Sequence, residues 1–327
     1  MLAPVDTVAV VLTHRRRRLA TKLVRSLIAD EGFPPDRIVL VVDREGGLEE
    51  PALEAGVRLI RLETTGGPAA GFRVGLEAAF EDPTVTFAYL CEDDVGLLNL
   101  PLPRVGRLRE AVEEHEAGAA TEVGAVVAYG RRFGRRPGAT DPFTPDPGGP
   151  SLQHVDVAAW GATLVSRRVV DGGVLPDDLW FFGYEDFDFF LRVRASGLDV
   201  MVDRDSALAV SAATSTLAGW DAALSGERPD DAMEPWRAYY VARNFFELAR
   251  RHGDRRWILW HLLYSGRRLQ LAPTWSQRRA TVVGLSHGVA RRYGRHPRYV
   301  RGAGELPSPS DFNRTAPAFP DSPEPDH

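Results

Sequence analysis

The sequence is short of cysteine, of lysine and of long apolar runs. One cysteine, Cys91, stands among 327 residues, so no intrachain disulfide and no zinc site built from several cysteines can form within the chain. No stretch approaches the roughly 18 apolar residues of a membrane span. The amino terminus also lacks the order of a secretory signal, because its apolar run at 8–12 precedes the basic cluster at 15–18. A cytoplasmic location is the expectation. Of 40 lysines and arginines one is a lysine, Lys22, which leaves 40 − 1 = 39 arginines. Such a bias fits the codon usage of a GC-rich genome, so arginine abundance alone is weak evidence for phosphate binding. The formal net charge of -5 argues against wholesale binding of nucleic acid.

What is present is an apolar content of 44%, enough for a substantial core. Short β-branched runs alternate with helical patterns over the first two hundred residues. Strands are expected at 7–12 (TVAVVL), 37–42 (RIVLVV), 57–62 (VRLIRL), 85–90 and 123–129, and further on near 153–157 and 163–166. Helical spacing appears around 19–28, 69–80, 102–117 and 186–196. The alternation predicts an α/β fold with a mostly parallel sheet flanked by helices. Residues 131–150, rich in Gly, Pro and Arg, read as one long loop. Composition shifts near 225, where three helices follow at 236–251, 256–269 and 277–293. The expected organisation is a catalytic unit at 1–224, a C-terminal helical extension at 225–302, and a disordered tail at 303–327.

In an open α/β sheet ligands bind beyond the carboxyl ends of the strands. Here those ends carry Thr13 to Arg16, then Asp43, then Thr65-Gly66-Gly67-Pro68, then Glu92-Asp93-Asp94. Three adjacent carboxylates repel one another unless a cation sits between them, and a hard divalent ion such as Mg2+ or Mn2+ suits oxygen ligands. They could equally cap the next element. Gly66, Gly67 and Gly71 open a helix, which suits either phosphate or a plain tight turn. The run Trp180-Phe181-Phe182-Gly183-Tyr184-Glu185-Asp186 places two acids at a helix start behind aromatics. There an acid is a cap or dipole partner, or a general base beside a sugar-stacking surface.

Taken in order, these motifs resemble the family 2 glycosyltransferases with the GT-A (Rossmann-like) fold, over about residues 7–202. The first strand with Thr13-His14-Arg15-Arg16, Asp43 after the second, Gly67-Pro68-Ala69-Ala70-Gly71-Phe72, the acidic run after Cys91, and 155–192 correspond to that family's successive motifs. The helix with Tyr239, Tyr240, Arg243 and Asn244 is similar to the subgroup holding rhamnosyl- and galactofuranosyltransferases. The resemblance implies an inverting transfer of a sugar from a UDP- or dTDP-sugar to a hydroxyl of a glycan, a lipid-linked or a small-molecule acceptor. It implies that Thr13, Arg16, Asp43, Gly67 and Asp93 hold the donor, and that Asp94 and Glu92 hold Mg2+ or Mn2+. By the same resemblance, Asp186 serves as general base with Glu185 as alternative, and Trp160, Trp180 and Tyr184 line the acceptor side. The sequence departs from the pattern at His14 and Arg15, at Glu92, and in having no histidine between His154 and His252.

Two other readings stay open: a sugar-phosphate nucleotidyltransferase, and a nucleotide-sugar-binding module without catalysis. The basic, aromatic-rich stretch from Arg255 to Arg268 suits a peripheral contact with the inner membrane face, or a helix packed on the catalytic unit or in a homo-oligomer. His115, His154, His252 and His261 have no ligand spacing to one another and are taken as surface or core residues.

Overall fold

The computed structural model describes residues 6–93, 105–118, 121–216 and 234–299. Its centre is an eight-stranded sheet. The strands are β1 (Thr7–Thr13), β2 (Ile38–Val42), β3 (Arg58–Arg61), β4 (Phe87–Glu92), β5 (Val123–Val127), β8 (Leu152–His154), β10 (Thr163–Ser166) and β11 (Asp199–Asp203), in the order β3-β2-β1-β4-β10-β5-β11-β8. β1 runs parallel to both β2 and β4, and β2 parallel to β3. β5 and β11 are also parallel, while β10 and β8 run antiparallel to their neighbours. Every residue of β1 and β2 is buried, as expected for strands covered on both faces. Alternate residues divide between two cores: Val8, Val10 and Leu12 pack with Phe72 and Leu76, and Ala9 and Val11 pack with Leu23 and Leu27.

The helices are α1 (Arg17–Ala29), α2 (Pro51–Gly56), α3 (Gly67–Ala79), α4 (Val105–Gly118), α5 (Arg167–Asp171), α6 (Glu185–Ala195) and α7 (Arg204–Thr216). Three more follow: α8 (Pro235–His252), α9 (Arg255–Leu271) and α10 (Trp275–Val289). The result is a mixed α/β fold with a large, mostly parallel sheet, flanking helices and a C-terminal helical extension. Among the described residues no helix is long and apolar enough to cross a membrane.

One expectation is corrected. Residues 131–150 are not a single loop. β6 (Gly130–Phe133) and β7 (Thr140–Pro142) pair antiparallel, and β6 also pairs with β9 (Val157–Ala158) in a separate three-stranded sheet. The reversal is made by Gly138 at φ +72°, and the Gly134 amide donates to the Ala139 carbonyl. Turn residues hid two strands too short to show a period. The expected boundary near 225 lies outside the described residues, as does the tail at 303–327.

The extension is fastened tightly to itself. A Cβ on Gly284 of α10 would stand 2.4 Å from the Tyr239 carbonyl oxygen, and one on Gly288 would stand 2.6 Å from the Arg243 carbonyl oxygen. Small residues therefore let α10 lie directly on the backbone of α8, which in turn supports the site below. Gly67 matters more. It sits at φ +75°, and a Cβ there would come within 1.9 Å of the Phe181 carbonyl oxygen. Gly67→Ala is expected to lower stability by about 2–4 kcal/mol through positive φ and overpacking together. Urea denaturation measures this, and a variant of wild-type stability would show that the 181 segment does not rest on α3.

Candidate functional site

Between β3 and β4 the chain crosses to the other side of β1, leaving β1 flanked by β2 and β4. Such a switch point opens a crevice at the carboxyl strand ends. There the Thr13 hydroxyl donates to Asp93 Oδ2 at 2.7 Å, and Arg16 Nη1 donates to Asp93 Oδ1 at 2.9 Å. Asp93 is 5% exposed, so this ion pair is shielded from water on the acid's side. The Asp43 amide donates to the Thr13 carbonyl at 2.9 Å, and Asp43 Oδ1 accepts from the Gly66 amide at 2.8 Å. His14 Nδ1 donates to the Asp43 carbonyl at 2.8 Å. Burial raises the Asp43 carboxyl above its ordinary range, opposed by the Gly66 amide, His14, the Gly67 amide and Arg295. The four parallel strand ends thus form one hydrogen-bonded rim.

Beside Gly66 lies a cavity of about 230 Å³, lined by residues 62–66 and by Ala70, Asp178, Phe181, Gly294 and Arg295. Its size suits a fragment such as a base or one sugar ring, below the roughly 300 Å³ at which whole-ligand pockets begin. Arg295 was not singled out by sequence. It lies on the segment after α10, and nothing in its neighbours Gly294 and His296 foretells that the chain returns to the rim.

The second half of the site is the aromatic turn docked on Gly67. Gly183 and Tyr184 both adopt positive φ, at 81° and 69°, immediately before α6. A tyrosine in that region is strained and needs support. Asn244 of α8 supplies it, donating through Nδ2 to the carbonyls of Phe182 at 2.7 Å and Gly183 at 3.1 Å. Arg243 Nε donates in turn to Asn244 Oδ1 at 2.7 Å. The turn presents Glu185 and Asp186. Glu185 is 5% exposed, and its Oε2 is buried with no hydrogen-bond partner. Burial, then the charge of Asp186 and that of Glu92, push Glu185 well above the carboxylate range. Asp186 is half-buried, and its Oδ1 accepts from the Phe187 amide at 2.8 Å. Burial raises it to about 7, against the pull of that amide and of Arg131. Glu92, at the end of β4, and Glu185, at the start of α6, are therefore within electrostatic reach of one another.

The sequence-predicted residues fall as follows. Thr13, Arg16, Asp43 and Asp93 meet at the rim, and Gly67 joins the rim to the aromatic turn. Asp94 lies outside the described residues. Trp160 is 2% exposed and packs among Phe72, Phe189 and Phe190, with ring centroids at 5.0, 5.1 and 5.9 Å. Trp180 is 1% exposed, with the Arg251 guanidinium 5.4 Å from its ring centroid. Both indole Nε1 atoms are buried without a hydrogen-bond partner. Tyr184 is half-buried against Phe187 and Phe245. Among the described residues no three of His, Cys, Asp and Glu form a metal-binding group.

Behind the acids lies a buried ionic cluster that sequence reading missed. Asp188 is fully buried and accepts from Arg192 Nε at 2.8 Å, Arg251 Nη1 at 3.1 Å and His252 Nε2 at 3.0 Å. Arg251 also bridges to Asp177 at 2.8 Å and Glu247 at 3.2 Å. The four-residue spacing of Asp188 and Arg192 was legible, but the partners on α8 were not. His252 thus serves a carboxylate.

No protein-family model matches the sequence, and no curated protein matches it. Among solved structures, it is similar to GalNAc-T7 crystallised with UDP, GalNAc and Mn2+, at 13% identity and a TM-score of 0.42. The alignment covers 61% of this chain and 42% of that one, so the chain spans under half of that neighbour's length.

Although burial raises the Asp188 carboxyl, His252, Arg192 and Arg251 more than offset it and hold it down at about 2. A depressed acid contributes stability above its unfolded value near 3.9, and that contribution fades as pH falls toward 2. Asp188→Ala is expected to cost about 3–5 kcal/mol at pH 7, because it strands buried cations. The variant should also lose less stability than the wild type between pH 4 and 2. Denaturation midpoints across that range measure both effects, and identical acid slopes would contradict the assignment.

Proposed function

We propose that the chain is a glycosyltransferase of the GT-A type, moving one sugar from a nucleoside-diphosphate donor to an acceptor hydroxyl with inversion. The observation that supports this reading is that the charge of Glu92, at the end of β4, acts on Glu185, which opens α6 beside Asp186. Donor chemistry and base chemistry then share one crevice. The rhamnosyl- and galactofuranosyltransferase subgroup is the preferred neighbourhood, on the strength of Tyr239, Tyr240, Arg243 and Asn244.

On the donor side, Thr13, Arg16, Asp43 and Gly67 frame the nucleotide, with Asp93 orienting the first two toward the ribose and diphosphate. The cavity beside Asp43 takes the base, and Arg295 closes it from the C-terminal segment. A divalent cation, Mg2+ or Mn2+, suits the acid-rich mouth. The buried Glu185 Oε2 has no hydrogen-bond partner, and the charge of Glu92 acts on that carboxyl. Glu92 and Asp94 would hold the ion, with donor phosphates completing its shell. When bound, such an ion neutralises the leaving diphosphate.

The two acids divide the labour because their environments push them apart. Burial and the charges of Asp186 and Glu92 push Glu185 well above the carboxylate range, whereas Asp186, raised to about 7, can accept a proton. Asp186 takes the acceptor proton as the hydroxyl oxygen bonds to the anomeric carbon. The bond from that carbon to the diphosphate oxygen breaks, its electrons leaving with the nucleoside diphosphate. On the acceptor side Tyr184 is half-buried and accessible, whereas Trp160 and Trp180 are buried.

Asp186→Asn is expected to lower transfer by about 10²–10⁴-fold while leaving donor affinity unchanged. Wild-type kcat/KM should rise as pH passes about 7, and the variant should lose that step. A raised acid stabilises the fold at low pH and loses that contribution as pH climbs through its folded value, so the variant should be the more stable protein at pH 8. Turnover within a few-fold of wild type would remove Asp186 as the base. Separately, Arg295→Ala should weaken UDP or dTDP binding about tenfold or more, the loss of one charge-assisted contact. Calorimetric titration decides it, and unchanged affinity would move the base out of this cavity.

A further inference from the structure

Helix α9 keeps few of its side chains inside the protein. His261 and Ser265 are its only buried residues, yet Leu259, Leu262 and Leu263 are 60%, 43% and 61% exposed. Arg256, Leu259, Leu263 and Arg267 recur at spacings of three and four and so share one outward stripe. The exposure continues beyond α9 through Leu271 at 70% and Trp275 at 77%, and into α10 at Val282 and Val289. On α10, Trp275, Arg278, Arg279 and Val282 repeat the same mixture of apolar and basic residues. A side chain turned to water does not nucleate a helix, so caps do part of that work. Asp254 accepts from the Arg256 and Trp257 amides, and Thr274 and Gln277 form a capping box.

The charge is as lopsided as the apolar exposure. No Asp or Glu occurs between residues 255 and 299, in a chain whose formal net charge is -5. Aromatic rings lie beneath cations at the same surface: the Arg268 guanidinium is 5.2 Å from the Tyr264 ring centroid, and that of Arg136 is 5.4 Å from the Trp260 centroid. We propose that the outward stripes of α9 and α10 dock this protein on an anionic lipid surface, with leucines and Trp275 entering the headgroup boundary and arginines meeting lipid phosphates. Lipid supplies both an apolar medium and negative charge, which is what interfacial helices require. A second copy of this face would bring arginine against arginine with no acid to relieve it. An acidic protein would satisfy the arginines but leave the exposed leucines without a counterpart. The proposal concerns the surface alone and does not depend on the transfer reading.

Co-sedimentation of the full chain with extruded vesicles tests it. Pelleting is expected with mixed phosphatidylglycerol and phosphatidylcholine vesicles, weakly with phosphatidylcholine alone, and less as salt rises. Leu259→Ser with Leu263→Ser, and separately Arg278→Glu with Arg279→Glu, should each reduce the partition by roughly tenfold or more. These side chains are exposed, so both variants should keep the wild-type circular dichroism and melting temperature. Failure of the wild type to pellet with the anionic vesicles would overturn the proposal. So would pelleting equal to wild type in both variants, or a concentration-dependent dimer in sedimentation velocity that the leucine variant dissolves.

Discussion

Two carboxylates at the start of α6 are held where they cannot easily ionise, and most of the molecule serves to keep them there. Glu185 has one oxygen with no hydrogen-bond partner, and it feels Asp186 beside it and Glu92 across the crevice. Left alone, such a cluster would open to water or spread apart, because buried like charges are costly. The fold prevents both. Gly67 lets the Phe181 backbone rest directly on the start of α3, and Asn244 ties down the carbonyls of Phe182 and Gly183. The acids are thus fixed from the sheet on one side and from α8 on the other.

The C-terminal extension is therefore part of the site's frame. Asp188, one turn into α6, is anchored by Arg251 and His252 of α8. α8 is held by α10 through backbone contact at Gly284 and Gly288. The segment after α10 then returns Arg295 to the cavity beside Asp43. A continuous path of packed and ion-paired groups links the C-terminal segment after α10 to the rim of strand ends. Truncating the extension would remove support for Asp186 and one wall of the cavity together.

Much of this was legible in the sequence, and the physical reasons differ by element. β1, β2 and β10 announce themselves because buried strands read as apolar runs, and the rim followed from asking what stands at each strand end. Asp186 and Glu185 were visible as acids at a helix start behind aromatics. Other features depend on contacts between residues far apart in the chain, which no local pattern encodes. The Asp188 cluster, the support from Asn244 and the return of Arg295 belong to that class. The hairpin of β6 and β7 was hidden for the opposite reason: its strands are too short for a period, and its turn residues dominate the composition. Trp160 shows a third limit, since a tryptophan near a site motif reads alike whether it faces a ligand or fills the core, and here it is 2% exposed.

The central claim is that the end of β4 and the start of α6 enclose one donor-binding crevice. Crystals grown with Mn2+ and a nucleoside diphosphate give the most direct test, read from the anomalous signal of the metal and the density of the nucleotide. The account predicts the metal at Glu92 and Asp94, on the α6-facing side of the crevice, with the base beside Asp43. Metal and nucleotide bound together elsewhere on the molecule, with that crevice vacant, would contradict it.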